Sequence, residues 1–378
     1  MTENEMKPSI RFKGFTDTWE QRKVADAFKV TRGCVLATSL TRPAPDLTYL
    51  YPVYSSQTLN EGLMGYYNKY LFDSAITWTT DGANAGTVRY RKDRFYCTNV
   101  CGVLLSEEGL ANKANAEALN NIAWKHVSKV GNPKLMNNVM SDIGFYLSPS
   151  LVEQQKISSL LDQLDSIIAL HQRKCEKLQD LKKSLLEKMF PGEGSNTPSI
   201  RFKGFTDAWE QRKCSDIANR YDNFRIPVVE SKRVAGPTPY YGANGIQDYV
   251  SGYTHNGEFV LVAEDGANDL RNYPVQYVNG QIWVNNHAHV LQSNESNSTM
   301  FLKYLISAAD IESVLVGGGR AKLNANILMD LEFTIPKKGE QSKISNLLDL
   351  MDKVITLHQR KCEKLKNLKK SLLEKMFV

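Results

Sequence analysis

The side chains of this chain that could do chemistry are few and poorly supported by their neighbours. Cys97 and Cys101 form C-T-N-V-C. A zinc site on such spacing needs a second pair of ligands, and neither a second cysteine pair nor a nearby histidine follows. Two thiols in a strand core are expected instead. His171 with Cys175, and again His358 with Cys362, stand at i and i+4, on one face of a helix. Two ligands per helix leave a metal site incomplete, whereas one polar layer in an apolar seam fixes helix register. Asp81 and Asp265 each precede a glycine, and turn formation explains an Asp-Gly pair without acid–base work. Gly317-Gly-Gly-Arg320 lacks the Lys-Ser/Thr ending of a phosphate loop. No glycine-rich strand-to-helix cofactor loop, no H-E-x-x-H and no G-x-S-x-G stands out. Asn132-Pro133 leads into Lys134, not into the proline–aromatic pair used by amino-methyltransferases. The expectation is a chain with no catalytic residue, no metal and no bound cofactor.

The elements that hold these residues come from the chain as a whole. At 378 residues it is long enough for two to three domains, and 42% apolar residues supply real cores. A net charge of +6, from 47 basic and 41 acidic residues, permits a polyanionic partner without demanding one. Of the six cysteines, Cys34, Cys97, Cys101, Cys175, Cys214 and Cys362, two occupy the same place in a repeat, so they are not a disulfide framework. The opening MTENEMKPSI has no apolar signal region, and no apolar run nears the ~20 residues of a membrane span. A reducing cytoplasm is the expected compartment, with no membrane partner.

The repeat dominates. PSIRFKGFTDTWEQRK, Pro8 to Lys23, returns from Pro198 to Lys213 with one change in 16 positions. The segment Glu153 to Phe190 returns as Glu340 to Phe377 with 29 of 38 positions identical. A period near 190 residues is too long for a solenoid and describes two tandem domains. Between these frames the two middles diverge, yet landmarks keep their order: Tyr51-Pro-Val-Tyr54 and Thr238-Pro-Tyr-Tyr241, Asp81-Gly-Ala-Asn84 and Asp265-Gly-Ala-Asn268, Lys134-Leu135 and Lys322-Leu323. Near-identical frames around unlike middles point to one task performed on two different targets.

The middles read as strands. Ala75 to Thr80 and Glu258 to Glu264 are β-branched and aromatic and run into Asp-Gly turns. Val88 to Tyr96 reads as a hairpin with a charged tip, Leu331 to Pro336 as a last strand stopped by proline. Short helices are expected near Gly109–Val127 and Ser298–Ser313. The 38-residue repeats read as long helices. In the first, Ile157, Leu164, Leu178 and Leu185 recur on a heptad, with Leu160, Ile167 and Leu181 as the companion seam. In the second the seam reads Ile344, Leu347, Met351, Val354, Leu365, Leu368 and Leu372. Ser150 and Glu153 are spaced as a capping box, and Pro191-Gly192 stops the helix. A 38-residue helix is about 57 Å long. Each stripe needs a partner, and the other copy is the obvious one, running antiparallel under pseudo-two-fold symmetry.

The opening RFKGFTDTWEQRKV, the Y-P-V-Y, Y-G-A-N-G and D-G-A-N turns, and the E-Q-x-x-I entry to a long helix ending in K-K-S-L-L-E-K-M-F resemble the specificity (S) subunits of type I restriction-modification enzymes. The resemblance covers essentially the whole chain, twice. It implies an α+β fold of two target recognition domains, mostly β and mixed, joined by two long antiparallel helices forming a coiled coil. It divides the chain into recognition domain 1 (1–150), spacer helix 1 (151–191), a linker (192–198), recognition domain 2 (199–337) and spacer helix 2 (338–378). Its implied partners are double-stranded DNA, two methyltransferase (M) subunits and, in a full restriction complex, two restriction (R) subunits. S-adenosylmethionine, ATP and magnesium belong to those partners. The alternative is a bipartite DNA-binding scaffold outside restriction.

Direct readout pairs Arg or Lys with guanine and Asn or Gln with adenine. The candidates in the first domain are Arg42, Gln57, Asn60, Lys69, Asn84, Arg89, Arg91, Lys92 and Arg94. In the second they are Arg225, Lys232, Arg233, Asn244, Gln247, Asn268, Arg271, Asn272, Arg320 and Lys322. Tyr54, Tyr67, Tyr240 and Tyr241 are placed to pack on the DNA backbone. Arg89–Arg94 and Gly317–Lys322 are the phosphate-contacting loops, the glycines allowing close backbone approach. His287 and His289, alternate on an expected strand, suit a core or DNA contact better than a metal. The lysines at the helix ends, Lys182, Lys183 and Lys188 with Lys369, Lys370 and Lys375, alternate with acids and suit solubility or partner docking.

Overall fold

The structure is a computed structural model describing residues 7–56, 59–192, 194–317 and 321–377. In chain order the first repeat contains β1 (Glu20–Lys23), α1 (Val24–Ala27), β2 (Lys29–Arg32), β3 (Tyr51–Tyr54), β4 (Leu63–Tyr67), β5 (Phe72–Thr79), β6 (Val88–Cys97), β7 (Cys101–Leu105), α2 (Lys113–Ala123), α3 (Asn137–Asp142), β8 (Gly144–Leu147) and the long α4 (Leu151–Met189). The second contains β9 (Glu210–Lys213), α5 (Cys214–Ile217), β10 (Ala218–Arg220), β11 (Ala235–Gly242), β12 (Gly245–Val250), β13 (His255–Ala263), β14 (Val275–Val284), β15 (Ala288–Ser293), α6 (Thr299–Ser307), α7 (Ala325–Asp330), β16 (Glu332–Ile335) and the long α8 (Lys338–Met376).

Each repeat folds the same way. The six-stranded sheets have the orders β2-β7-β5-β6-β3-β4 and β10-β15-β13-β14-β11-β12. Among the described residues only β3 with β6 and β11 with β14 pair in parallel. A two-stranded ribbon, β1 with β8 or β9 with β16, closes the frame. Alternation puts Ile76, Trp78 and Leu104 on the face beneath α2, while Ala75, Phe95, Cys97 and Val103 fill the other face. Both faces are therefore buried, and the fold is a mixed α+β sheet twice over. Among the described residues no helix is long and apolar enough to cross a membrane.

Two compact units divide the chain: Met1–Gln172 with Arg360–Val378, and Arg173–Gln359. Each therefore takes a sheet domain, the start of one long helix and the end of the other. Within each unit the two helix segments run antiparallel. In the first, Ile157 and Leu161 cluster with Leu372 and Met376, and Asp165 meets Lys369 at 2.7 Å. In the second, Leu185 and Leu186 pack with Ile344 and Leu348, and Lys182 meets Asp352 at 2.5 Å.

Three local readings are corrected. The buried seam of α4 is Ile157, Leu161, Leu164 and Ile168, whereas Ile167 and Leu181 are 42% and 51% exposed. The facing helix lies on the i+4 side of the heptad: Leu160 and Leu347 still pack against the buried clusters, while Ile167 and Leu181 face outward. On α8 likewise Leu348, Met351, Ile355 and Cys362 are buried and Leu368 is 49% exposed. Val88 to Tyr96 is no hairpin but one strand. Ser74 (φ 46°) and Asp93 (φ 60°) face each other at a register shift, so the charged stretch is a bulge in β6. Finally, the Ser150–Glu153 capping box is half made: the Glu153 amide donates to Ser150 Oγ at 3.4 Å, but the Glu153 carboxylate is engaged elsewhere.

That engagement explains the repeated sequences. Arg11 grips the fully buried Glu153 with both ends of its guanidinium, at 2.6 and 2.9 Å. Arg201 grips Glu340 identically, at 2.7 and 2.8 Å. The next residues, Gln154 and Gln341, are also buried. Gln154 Oε1 accepts from Asn112 and Asn115 at the start of α2, and Gln341 Oε1 accepts from the Ser298 amide at the start of α6. Trp19 is edge-on to Phe377 at 5.9 Å, and Trp209 to Phe190 at 6.3 Å. The frames are conserved between copies because they bolt each sheet domain to its helices.

Candidate nucleic-acid interface

In each sheet domain the landmark turns converge on one rim. In the first, the Thr98 amide donates to Tyr54 O at 2.9 Å and Thr80 to Val100 O at 3.0 Å; Gly82 donates to Pro133 O at 3.0 Å and Leu135 to Thr80 O at 2.9 Å. The rim thus joins the segments after β3, β5 and β6 to the strand-like Lys134–Leu135. Asp81 accepts from Asn132 Nδ2 and bridges Lys134 through the backbone. In the second domain, Asn285 donates to Tyr241 O at 3.1 Å, Glu264 to His287 O at 2.9 Å and Leu323 to Glu264 O at 2.8 Å. Asn244 holds the Asp-Gly turn at both ends, donating to Gly266 O at 2.8 Å and accepting from the Asn268 amide at 2.9 Å. Asp265 meets His287 Nδ1 at 2.5 Å. The glycines at 82 and 266 have φ of 95° and 70°, a turn geometry that Asp-Gly is built for.

The sequence candidates separate by environment. Gln57 and Arg320 lie outside the described residues. Asn60 is exposed in a left-handed turn (φ 48°), and half-buried Asn84 reaches Ser56 O at 3.5 Å. Arg89 pairs with Glu61 at 3.1 Å. Arg91 is buried, bonded to Thr77 Oγ1 at 3.2 Å and Glu61 O at 2.7 Å, and lies 3.7 Å over the Tyr54 ring. Burial lowers the proton affinity of its guanidinium and the Tyr54 oxygen opposes that shift. Arg91 therefore props the rim from beneath. Arg42, Lys69, Lys92 and Arg94 are exposed, Arg42 over Tyr49 and Arg94 over Tyr70.

In the second domain Arg225 is turned inward, bonded to Glu264 at 2.7 Å and Ala288 O at 2.9 Å. Arg233 stacks over Tyr240 at 4.3 Å and pairs with Asp248 at 3.3 Å. Lys232, Gln247, Arg271 and Asn272 are exposed, the last two in a turn capped by Asp269. Lys322 pairs with Glu264 at 2.9 Å. The rim thus gathers Asn60, Asn84, Asn244, Gln247, Asn268 and Lys322, while Lys92 and Arg94 sit at the β6 bulge opposite Asp73 and Ser74.

Sequence reasoning missed Asp222 and Glu264, which with His289 offer ligand-type atoms within 4.8 Å of one another, the one such group among the described residues. Acids abutting apolar strands, as in Leu261-Val-Ala-Glu264, were the available signal. The carboxylates there are already met by Arg225 and Lys322. Cys97 and Cys101 are buried core thiols; burial pushes the Cys101 thiol up to about 11 and Cys97 further still. Such thiols are poor ligands and poor nucleophiles at neutral pH.

Against known proteins, a family model described as the type I restriction modification DNA specificity domain matches residues 16–180 and again residues 206–367. A protein named as a type I restriction enzyme specificity subunit of Haemophilus influenzae is 44% identical over 142 residues, 38% of this chain and 37% of that protein. The type I restriction enzyme MpnII specificity subunit of Mycoplasma pneumoniae is 34% identical over 146 residues, 38% of this chain and 43% of that one. These matches span about two fifths of each relative's length. The crystal structure of a type I restriction-modification S subunit from M. genitalium superposes with a TM-score of 0.78 at 15% identity, covering 99% of both chains. At that identity the likeness is one of fold, and it covers both sheet domains and both long helices.

Proposed function

The chain belongs to the type I restriction-modification DNA specificity family, matched over both of its repeats, and from that premise we propose that each sheet domain binds one half of a bipartite, asymmetric DNA site. The observation that carries this reading is the pairing of two equivalent rims with unlike chemistry. The D-G-A-N turn and the lysine bridged to it are shared, Asn84 with Asn268 and Lys134 with Lys322. The turn after β3, by contrast, presents Asn60 and the one after β11 presents Asn244 and Gln247. Among the described residues Lys322 alone of the two lysines is paired with a glutamate, Glu264. Exposed Arg42, Lys69 and Lys92 in one domain, and Lys232 and Arg271 in the other, supply phosphate contacts that position the rim. Domain 1 (1–150) and domain 2 (199–337) read the DNA; the helices, 151–191 and 338–378, set the gap between half-sites.

The same helices dock methyltransferase subunits. Their outer stripe, Ile167 and Leu170 in one unit and Leu350 and Leu357 in the other, is 42–59% exposed. An exposed apolar stripe on a helix whose seam is already filled is suited to a further helix. The chain has no catalysis of its own in this reading. Adenine methylation with S-adenosylmethionine, and cleavage with ATP and magnesium, belong to the partner subunits, and the complex works in the cytoplasm beside its DNA. Co-expression with the methyltransferase subunit tests this: a stable complex that methylates adenine in a split motif is expected. A chain that purifies alone and binds its site with full affinity would instead favour a scaffold outside restriction.

A further inference from the structure

The two sheets solve one packing problem in opposite ways. On β5 and β7, Trp78 is the register partner of Gly102, and a Cβ on that glycine would lie 2.1 Å from the indole. On β13 and β15 the same register positions hold Val262 and His289. A large side chain facing none has become a small one facing a large one. Both rings also meet the same backbone carbonyl. Trp78 Nε1 donates to Leu135 O at 3.0 Å, and His289 Nε2 lies 2.8 Å from Leu323 O. Leu135 and Leu323 are equivalent, since each donates its amide to the end of the preceding strand, Thr80 O or Glu264 O. In each domain the rim segment is thus pinned from two sides.

The histidine adds a second nitrogen, and with it a circuit of charge. His289 Nδ1 lies 2.7 Å from Asp222 Oδ2 and 3.7 Å from Glu264. Nε2 faces a carbonyl and Nδ1 a carboxylate, so both ring nitrogens meet acceptors. Asp222 also accepts from the Val290 amide at 2.8 Å. Burial pushes the Asp222 carboxyl up, but the His289 and Val290 hydrogen bonds outweigh it and hold the group below the usual carboxylate range. Glu264 carries the circuit outward, binding Arg225 at 2.7 Å and the half-exposed Lys322 at 2.9 Å. Lys322 is itself part of the rim, paired through its backbone with Asp265 and Val316. In the first domain the positions of Asp222 and Glu264 hold Arg32 and Thr80, so no such circuit can form there.

We infer that His289 is a positioning residue for the second half-site: through Asp222 and Glu264 it fixes the Lys322 ammonium and its rim segment against the DNA, a device the first domain does not use. The inference rests on the half-site reading above. The three ligand-type groups are not a cation site in this account, because two basic side chains neutralise the carboxylates.

The test uses the full chain co-expressed with its methyltransferase. The motif is read by sequencing modified adenines, and affinity is measured on a duplex carrying that motif. Two variants separate packing from charge. V262W/H289G transplants the first domain's pair, restoring volume and the bond to Leu323 O without the circuit. D222N keeps the shape and removes one charge. The expected result is near-parental thermal unfolding for V262W/H289G, with affinity for the second half-site down about 10-fold and its bases relaxed in the motif. The first half should be unchanged, and D222N should show the same one-sided loss. Parental recognition by either folded variant, or an equal loss at both halves, overturns the inference. If V262W/H289G fails to fold, D222N decides. A parental complex that methylates one contiguous motif would remove the half-site reading, and this inference with it.

Discussion

Arg11 on Glu153 and Arg201 on Glu340 are one interaction made twice, with nearly the same distances. Trp78 over Gly102 and His289 beside Val262 are two different answers at one register position. The contrast separates two kinds of constraint. Where a sheet domain meets its helices, a buried carboxylate must find the same guanidinium in each copy, and few sequences satisfy that. Where the sheet supports the rim, folding requires only volume and one N–H on a carbonyl, and an indole or an imidazole supplies both. The copies have therefore stayed alike at the frame and diverged beneath the surface assigned to DNA.

The largest expected effect tests the sameness of the frames. Arg11→Ala and Arg201→Ala each strand a buried carboxylate and should each destabilise their unit by about 3–5 kcal/mol in urea unfolding. Losses differing by more than about 1.4 kcal/mol, a tenfold change in equilibrium constant, would break the equivalence. Next comes the helix seam. Leu161→Ala empties a fully buried site and should cost about 2–5 kcal/mol. Ile167→Ala, on the outer stripe, should stay within about 0.5 kcal/mol while weakening capture of the methyltransferase subunit. A reversed order would restore the i+3 seam.

The smallest effect compares two latches. Asp165 takes Lys113 at 2.5 Å and Lys369 at 2.7 Å; Asp352 takes Lys182, Lys303 and the Tyr304 hydroxyl at 2.5, 2.6 and 2.8 Å. Burial raises both carboxyls, but the lysines outweigh it and hold both below the usual carboxylate range. A carboxyl lowered by folding contributes stability that is complete above its unfolded value, near pH 4, and is lost as pH falls through the folded one. Asp352→Asn and Asp165→Asn should therefore flatten acid unfolding below about pH 4 and leave its neutral slope alone. The effect should be larger at Asp352, whose side chain is 28% exposed against 39% for Asp165.

Much of the fold was legible in residues whose signal is local. The Asp-Gly turns, the strand ending at Pro336, the helices near residues 113–123 and 299–307 and the two long helices all stand where propensity and periodicity put them. What was illegible depended on a distant partner. A heptad with leucines at both i+3 and i+4 does not say which side faces the other helix. Lys92-Asp93-Arg94 reads as a turn because nothing local shows that Ser74 will oppose it in a bulge. Ser150 and Glu153 have capping-box spacing, but Arg11, 142 positions away in the chain, takes the carboxylate. At the rim, residue type named the candidates, but only the fold shows that Arg91 and Arg225 face inward.

The central claim, two independent readers on one repeated frame, is tested most directly by exchanging one of them. Replacing residues 32–140 with the corresponding segment of another family member, and mapping methylated adenines in cells carrying the methyltransferase, should give a motif with one half changed. The other half and the gap should be retained. A change in both halves, or in the gap, would contradict the account.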